Sequence, residues 1–368
     1  MKVFLQERFF TDKETTFLEC GEFKASLFTY STGIKAVRLS NAKGGIVVLP
    51  WMGQMVWRAE FQGHELTMKS IYDEPQVCGH FGESYGCFLM HCGLTAMGNP
   101  TAEDTHPGHG ELPTAKYKTA WVECCADAEG PYLAIGGTFS YMRCFEANYD
   151  FSPCVKLRAG ATKLDVTVSF TNNKDLPLEY YYLCHVNCRP VDGSRLEYSA
   201  PRDTIIINHE VPDGYFKKWG DATNAFLDRA DKDPYILDVV GGPGESYRPE
   251  IVCCAFHKAD RDGKAYTMQV HPDGTSEYVV HRPSELPYGT RWIARTKDED
   301  AMGMCLPATA EHKGRTFCRA HGQQRILAPG KTVTYHVEAG WQDKAATRAM
   351  KKRIDAIMKG VKVKGGAK

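Results

Sequence analysis

The chain has no excess of either charge: 45 Lys+Arg stand against 45 Asp+Glu. That balance leaves out the basic footprint that nucleic acid or an anionic membrane requires, and it suits a small, roughly neutral ligand. No apolar run approaches the roughly 20 residues that span a bilayer. The opening Met1-Lys2-Val3-Phe4-Leu5-Gln6-Glu7-Arg8 turns charged too soon to hold a secretory h-region. The fourteen cysteines include no Cys-x-x-Cys knuckle of the zinc-ribbon type. The vicinal pairs Cys124-Cys125 and Cys253-Cys254 fit disulfide geometry badly. The expectation is a cytoplasmic protein with fourteen free thiols acting as small core hydrophobes, and with neither a nucleic-acid nor a membrane partner. A homo-oligomer stays open.

Long alternating helices are missing too, which argues against a βαβ fold. Strand and turn signals fill the chain from Glu19 to about Gly340. Ala25–Tyr30 and Ile34–Leu39 flank Ser31-Thr32-Gly33 as a hairpin would. Leu164-Asp165-Val166-Thr167-Val168-Ser169-Phe170 alternates as a half-buried strand does. Many short strands at turn-punctuated intervals indicate an all-β fold, a large antiparallel β-sandwich. No Pro-, Gly- or Ser-rich break divides residues 1–342, so they read as one domain. Residues 343–368 form a basic segment in which Ala346, Met350, Ile354, Ile357 and Val361 make an apolar stripe. That pattern predicts an amphipathic helix capping the sandwich, followed by a Gly365-Gly366 tail.

Chemistry-bearing residues gather in three places. The Gly- and Pro-rich stretch Phe88–Tyr117 carries His91, His106 and His109 with Glu103, Asp104 and Glu111. Loops on a rigid scaffold are where catalytic groups collect. In Tyr180–Pro190, alternation puts Tyr181, Leu183, His185 and Asn187 on one strand face, as in a polar groove. Glu311, His312 and Arg315 lie in a short connection near the end. Trp51, Trp57 and Trp121 are candidates for stacking on a sugar, with core packing the expectation for at least two of them.

In this order the three segments resemble the aldose 1-epimerase-like (galactose mutarotase-like) superfamily. The likeness is to a bacterial branch in which Cys-Gly-Leu, here Cys92-Gly93-Leu94, precedes a His-Gly element, here His109-Gly110. Cys184-His185-Val186-Asn187 is similar to the family's His-x-Asn strand, and Gly303–Pro307 to the segment bearing its glutamate ahead of proline. The likeness covers Val47 to Trp341. It implies a galactose mutarotase-like supersandwich and cofactor-free interconversion of sugar anomers or epimers. His185 would be the acid, and His109 would bind and polarise the sugar. Asn187, Trp51, His106 and Arg315 would complete the substrate site.

Two positions depart from that pattern. Leu306 stands where the family glutamate precedes proline, and Met52 where the branch carries arginine. Glu311 and Glu111 are then the candidates for the base. Two alternatives follow. The His109-Gly110-Glu111 spacing, with His185 and with His106 or His91 nearby, is a plausible divalent-metal set for an isomerase or lyase acting on a keto-sugar or keto-glycoside. A non-catalytic carbohydrate-binding protein is the other.

Overall fold

The computed structural model describes residues 1–209, 220–241 and 250–361; the Gly365-Gly366 tail lies outside them. Two sheets of antiparallel strands make the body. The nine-stranded sheet runs Lys2–Phe4, Thr119–Asp127, Gly130–Arg143, Ala147–Arg158, Lys163–Asn172, Thr332–Gln342, Ser276–His281, Ala265–Val270, Arg195–Tyr198. The thirteen-stranded sheet runs Ile206–Ile207, Ile251–Ala255, Tyr288–Arg295, Asp300–Ala308, Leu178–Val186, Leu89–Leu94, Val56–Phe61, Gly44–Val48, Lys35–Asn41, Phe23–Thr29, Thr15–Cys20. Two short strands, Arg325–Leu327 and His64–Glu65, flank it. The all-β sandwich inferred from turn spacing is therefore the observed architecture.

Strand Lys163–Asn172 shows how sequence sets this arrangement. Leu164, Val166, Val168 and Phe170 are buried, and their alternate neighbours are partly exposed. This strand is polar on its outer face, so it belongs to a sheet covered on one side only there. The central strands of the larger sheet differ. In Leu178–Val186 all residues but Glu179 are buried. Tyr180, Tyr182, Cys184 and Val186 join the core between the sheets, whereas Tyr181 and Leu183 join a second apolar cluster on the opposite face.

The predicted C-terminal helix is present as Lys344–Met358 and packs on the outer face of the nine-stranded sheet. Asp343 caps it, its Oδ1 accepting from the backbone N–H groups of Ala345 and Ala346 at 2.8 Å each. Ile354 is 2% exposed among Tyr266, Met268, Tyr278 and Val280, with Met350 and Ile357 beside it. The expected stripe needs correction at both ends. Ala346 is exposed, and Val361 lies beyond the helix. Thr347, three residues before Met350 and so on its face, is buried instead, its hydroxyl 2.9 Å from that of Ser276.

The expectation of fourteen free thiols also fails at one place. Cys20 and Cys124 form a disulfide, and the other twelve cysteines are free. The pair lies 104 residues apart in sequence. Fold topology, which neither spacing nor composition reveals, brings an edge strand of one sheet onto a strand of the other. Among the described residues no helix is long and apolar enough to cross a membrane.

The packing of the terminal helix gives a direct test. Ile354→Ala should cost about 2–5 kcal/mol, as truncation of a buried isoleucine does. Urea denaturation reads this as a lowered midpoint, and an unchanged midpoint would mean the helix is not docked.

Candidate active site

On the face of the larger sheet turned away from the nine-stranded one lies a cavity of about 520 Å³. Adjacent strands form its floor: Leu183 and His185, Leu306, Thr290 and Trp292, and Val252. Phe81, Tyr85, the 99–101 segment, His109, Asn208, His312 and Lys313 form its walls, and Glu250 enters from just before strand Ile251–Ala255. The strand alternation that predicted a shared face for Leu183 and His185 matches this placement.

Backbone contacts hold His109 in position. It adopts a left-handed conformation, φ +59°, which costs a non-glycine residue about 1 kcal/mol or more. Its N–H donates to the Gly98 carbonyl and its own carbonyl accepts from Gly93, both at 2.9 Å. Gly98 must be glycine, because an added Cβ would stand 1.8 Å from the His312 carbonyl oxygen. That same carbonyl accepts from Asn99 N–H at 2.8 Å, so the loop bearing His109 is stitched to the segment bearing His312.

The imidazoles of His109 and His185 meet edge to face, ring centroids 5.3 Å apart. Tyr85 lies against His185, its hydroxyl 3.4 and 3.5 Å from the two ring nitrogens and donating to Asn187 Oδ1 at 2.9 Å. Asn187 Nδ2 donates to the Cys87 carbonyl at 3.0 Å. Asn187 thus orients Tyr85 and does not itself line the cavity.

Burial decides the charge states. It pushes His185 down to about 4, and His312 likewise to about 4. It drives His109 well below its ordinary value, helped by the neighbouring His185 and His312. All three are neutral imidazoles at pH 7. Burial acts the other way on Glu250, raising it, although a hydrogen bond from Trp292 Nε1 opposes the shift. Trp292 also packs edge to face on His185, ring centroids 5.6 Å apart, and so bridges the acid and the imidazole.

Several expected site residues lie elsewhere. The carboxylate of Glu111 accepts from Thr95 N–H at 3.0 Å, Thr95 Oγ1 at 2.8 Å and Tyr149 Oη at 2.5 Å, so it braces the loop and does not face the histidines. Glu311 accepts from Gln323 Nε2 at 2.8 Å and is absent from the cavity lining. His106 sits 3.6 Å from Asp104 and accepts from Arg315 N–H at 3.4 Å, which places both His106 and Arg315 at the helix Gly314–Ala320. Trp51 packs edge to face on Phe10 in the core. Trp57 is fully buried, and Trp121 lies under the Lys2 ammonium in the other sheet. His91 faces the core and pairs with Tyr182 Oη at 2.9 Å. The metal set of His109, Glu111 and His185 is therefore not assembled, since Glu111 is held elsewhere.

Glu250, Trp292 and Tyr85 were missed in the sequence. Thr290 and Trp292 alternate across a β-bulge, a period-2 signal that was available in Tyr288–Arg295. Glu250 carries no such mark. It lines the same cavity as Leu306 from just before a strand two places away, a neighbourhood that only the sheet order reveals.

Residues 31–340 match the family described as a domain of unknown function, DUF4432. The chain belongs to this family. No curated protein sequence matches it. Among solved structures, a Klebsiella pneumoniae protein provisionally named an aldose 1-epimerase superposes with TM-score 0.83 at 17% identity, covering 100% of this chain and 98% of that one. A galactose mutarotase-like protein of Clostridium acetobutylicum superposes with TM-score 0.57 at 12% identity, covering 88% and 100%. An Escherichia coli K12 protein, also provisionally named an aldose 1-epimerase, gives TM-score 0.50 at 13% identity, covering 90% and 99%. At these identities the likeness establishes the fold alone: this DUF4432 chain has the fold of the galactose mutarotase-like proteins, as its sequence motifs implied.

The buried histidines give the fold a pH dependence. His91, His185 and His312 titrate near 6.5 when unfolded but at about 3, 4 and 4 when folded. Between those values the unfolded chain binds more protons, so stability is complete above about pH 6.5 and falls as pH drops toward 4. Urea midpoints at pH 7 and pH 4.5 check this, and equal midpoints would contradict the burial of neutral imidazoles.

Proposed function

We propose that this protein opens and recloses a cyclic hemiacetal in the His185–Glu250 cavity, interconverting the anomers of an aldose. The observation that carries the reading is one cavity lined by neutral imidazoles together with a carboxyl group that burial favours in its protonated form. A volume of about 520 Å³ lies within the range of small-molecule sites. The solved structures named as aldose 1-epimerases share the fold, which supports the choice of a sugar as substrate.

The directions in which burial acts support roles in the reverse of the order that the family resemblance implied: His185, kept neutral, as the base, and Glu250, whose protonated form burial favours, as the acid. His185 takes the proton of the anomeric hydroxyl while Glu250 protonates the ring oxygen, so the C1–O5 bond breaks and an aldehyde forms. After rotation about C1–C2, Glu250 takes the proton of the C5 hydroxyl as its oxygen attacks C1. The imidazolium of His185 returns its proton to the former carbonyl oxygen. Both groups end as they began. His109 and His312 supply polar contacts to the sugar hydroxyls, and Trp292 supplies an apolar face for the ring. Because both proton-transfer groups are side chains, this route calls for no metal or organic cofactor, and its partner is a small carbohydrate.

His185→Asn and Glu250→Gln should each lower turnover by at least about 100-fold, the lower bound for losing a general acid or base. Glu311→Gln should leave turnover close to that of the parent. Exchange NMR between α- and β-anomers of glucose and galactose provides the assay. Full activity in Glu250→Gln overturns the acid assignment. Sugar binding without exchange in the parent protein makes it a binding module instead.

A further inference from the structure

Beneath the floor of the cavity, on the other face of the same strands, is a group of side chains that the proposed reaction leaves unused. His257 follows strand Ile251–Ala255, and Cys305 lies in Asp300–Ala308 next to the cavity residue Leu306. His281 ends strand Ser276–His281 of the opposite sheet. One nitrogen or sulfur atom from each lies within 4.8 Å of the other two. Cys305 Sγ is 3.8 Å from His281 Nδ1, and the two imidazole planes stand at 86° with centroids 5.0 Å apart. The residues are 8%, 0% and 1% exposed for His257, Cys305 and His281.

Three features make this more than filled core. Each ring turns one nitrogen toward a further donor, His257 Nε2 toward Thr267 Oγ1 and His281 Nδ1 toward Cys305 Sγ. Space for the His257 ring is built in: a Cβ added at Gly289 would stand 2.4 Å from His257 Cε1. A fourth donor is at hand, since Thr267 Oγ1 lies 3.0 Å from His257 Nε2. Tetrahedral zinc, with bonds of about 2.0–2.3 Å, separates neighbouring N and S ligand atoms by about 3.5 Å, close to the sulfur–nitrogen spacing here.

We propose that His257, His281 and Cys305 bind a borderline-soft divalent cation of the zinc class, with Thr267 Oγ1 or water as the fourth ligand. Two imidazoles with a thiolate select such an ion over calcium or magnesium. Ligation takes neutral imidazoles and a thiolate, the ion displacing the thiol proton as it binds. The ion would clasp the two sheets directly under Leu306 and stiffen the cavity floor. It is separate from the His185–Glu250 centre and independent of the reaction assigned there.

The test uses the full chain. Elemental analysis of the purified protein should find about one zinc per chain. Cobalt(II) added to chelator-stripped protein should give thiolate-to-cobalt charge-transfer absorption and a raised thermal midpoint. Cys305→Ala and His281→Gln should each weaken cobalt binding by at least about 100-fold, the upper end of what losing an outer-sphere partner costs. Cys253→Ala and His185→Asn should retain it. No charge-transfer band in the stripped parent protein overturns the proposal, a result that needs no variant to fold. Undiminished binding in Cys305→Ala and His281→Gln overturns it equally by placing the ion elsewhere.

Discussion

The rest of the site depends on one constraint: the central strands of the larger sheet are buried on both faces. Leu178–Val186 sends Tyr180, Tyr182, Cys184 and Val186 into the core between the sheets, and Leu183 and His185 into the cavity. A histidine in such a strand loses most of its hydration, and the charged form bears the cost. The same desolvation favours the neutral form of Glu250. A single physical cause thus pushes an imidazole and a carboxyl lining one cavity in opposite directions.

The cavity walls are loops, and their precision comes from backbone stitching. The chain reversal at Gly98 and the left-handed His109 are fixed by hydrogen bonds to each other and to the 312–313 segment. Asp104 then ties the same loop to the next helix, its Oδ1 accepting from Thr316 N–H at 3.0 Å and from Thr316 Oγ1 at 2.8 Å. Glu111 anchors the loop's far end on Tyr149 of the other sheet. Asp104 and Glu111 therefore hold the wall in place, and His109 faces the cavity.

That division explains what the sequence disclosed. Periodicity revealed the half-buried strands, the shared face of Leu183 and His185, and the terminal helix, because local period reports burial directly. It placed Ala346 in the helix stripe and overlooked Thr347, since a hydroxyl with a buried partner reads as polar surface. Loop density marked His109, which lines the cavity, but did not distinguish it from His106 or Glu111, whose partners are distant residues. Glu250 and the Cys20–Cys124 pair were invisible for the same reason: both are products of strand order, and strand order is not a local property.

Titrating the isolated protein by NMR, with the His185 ring and the Glu250 carboxyl observed site by site, probes the central claim most directly. The account expects His185 to remain neutral until the pH falls to about 4, and Glu250 to hold its proton above its ordinary value of 4.5. A His185 ring that titrates near 6.5, with a Glu250 carboxyl ionising at or below 4.5, would contradict it.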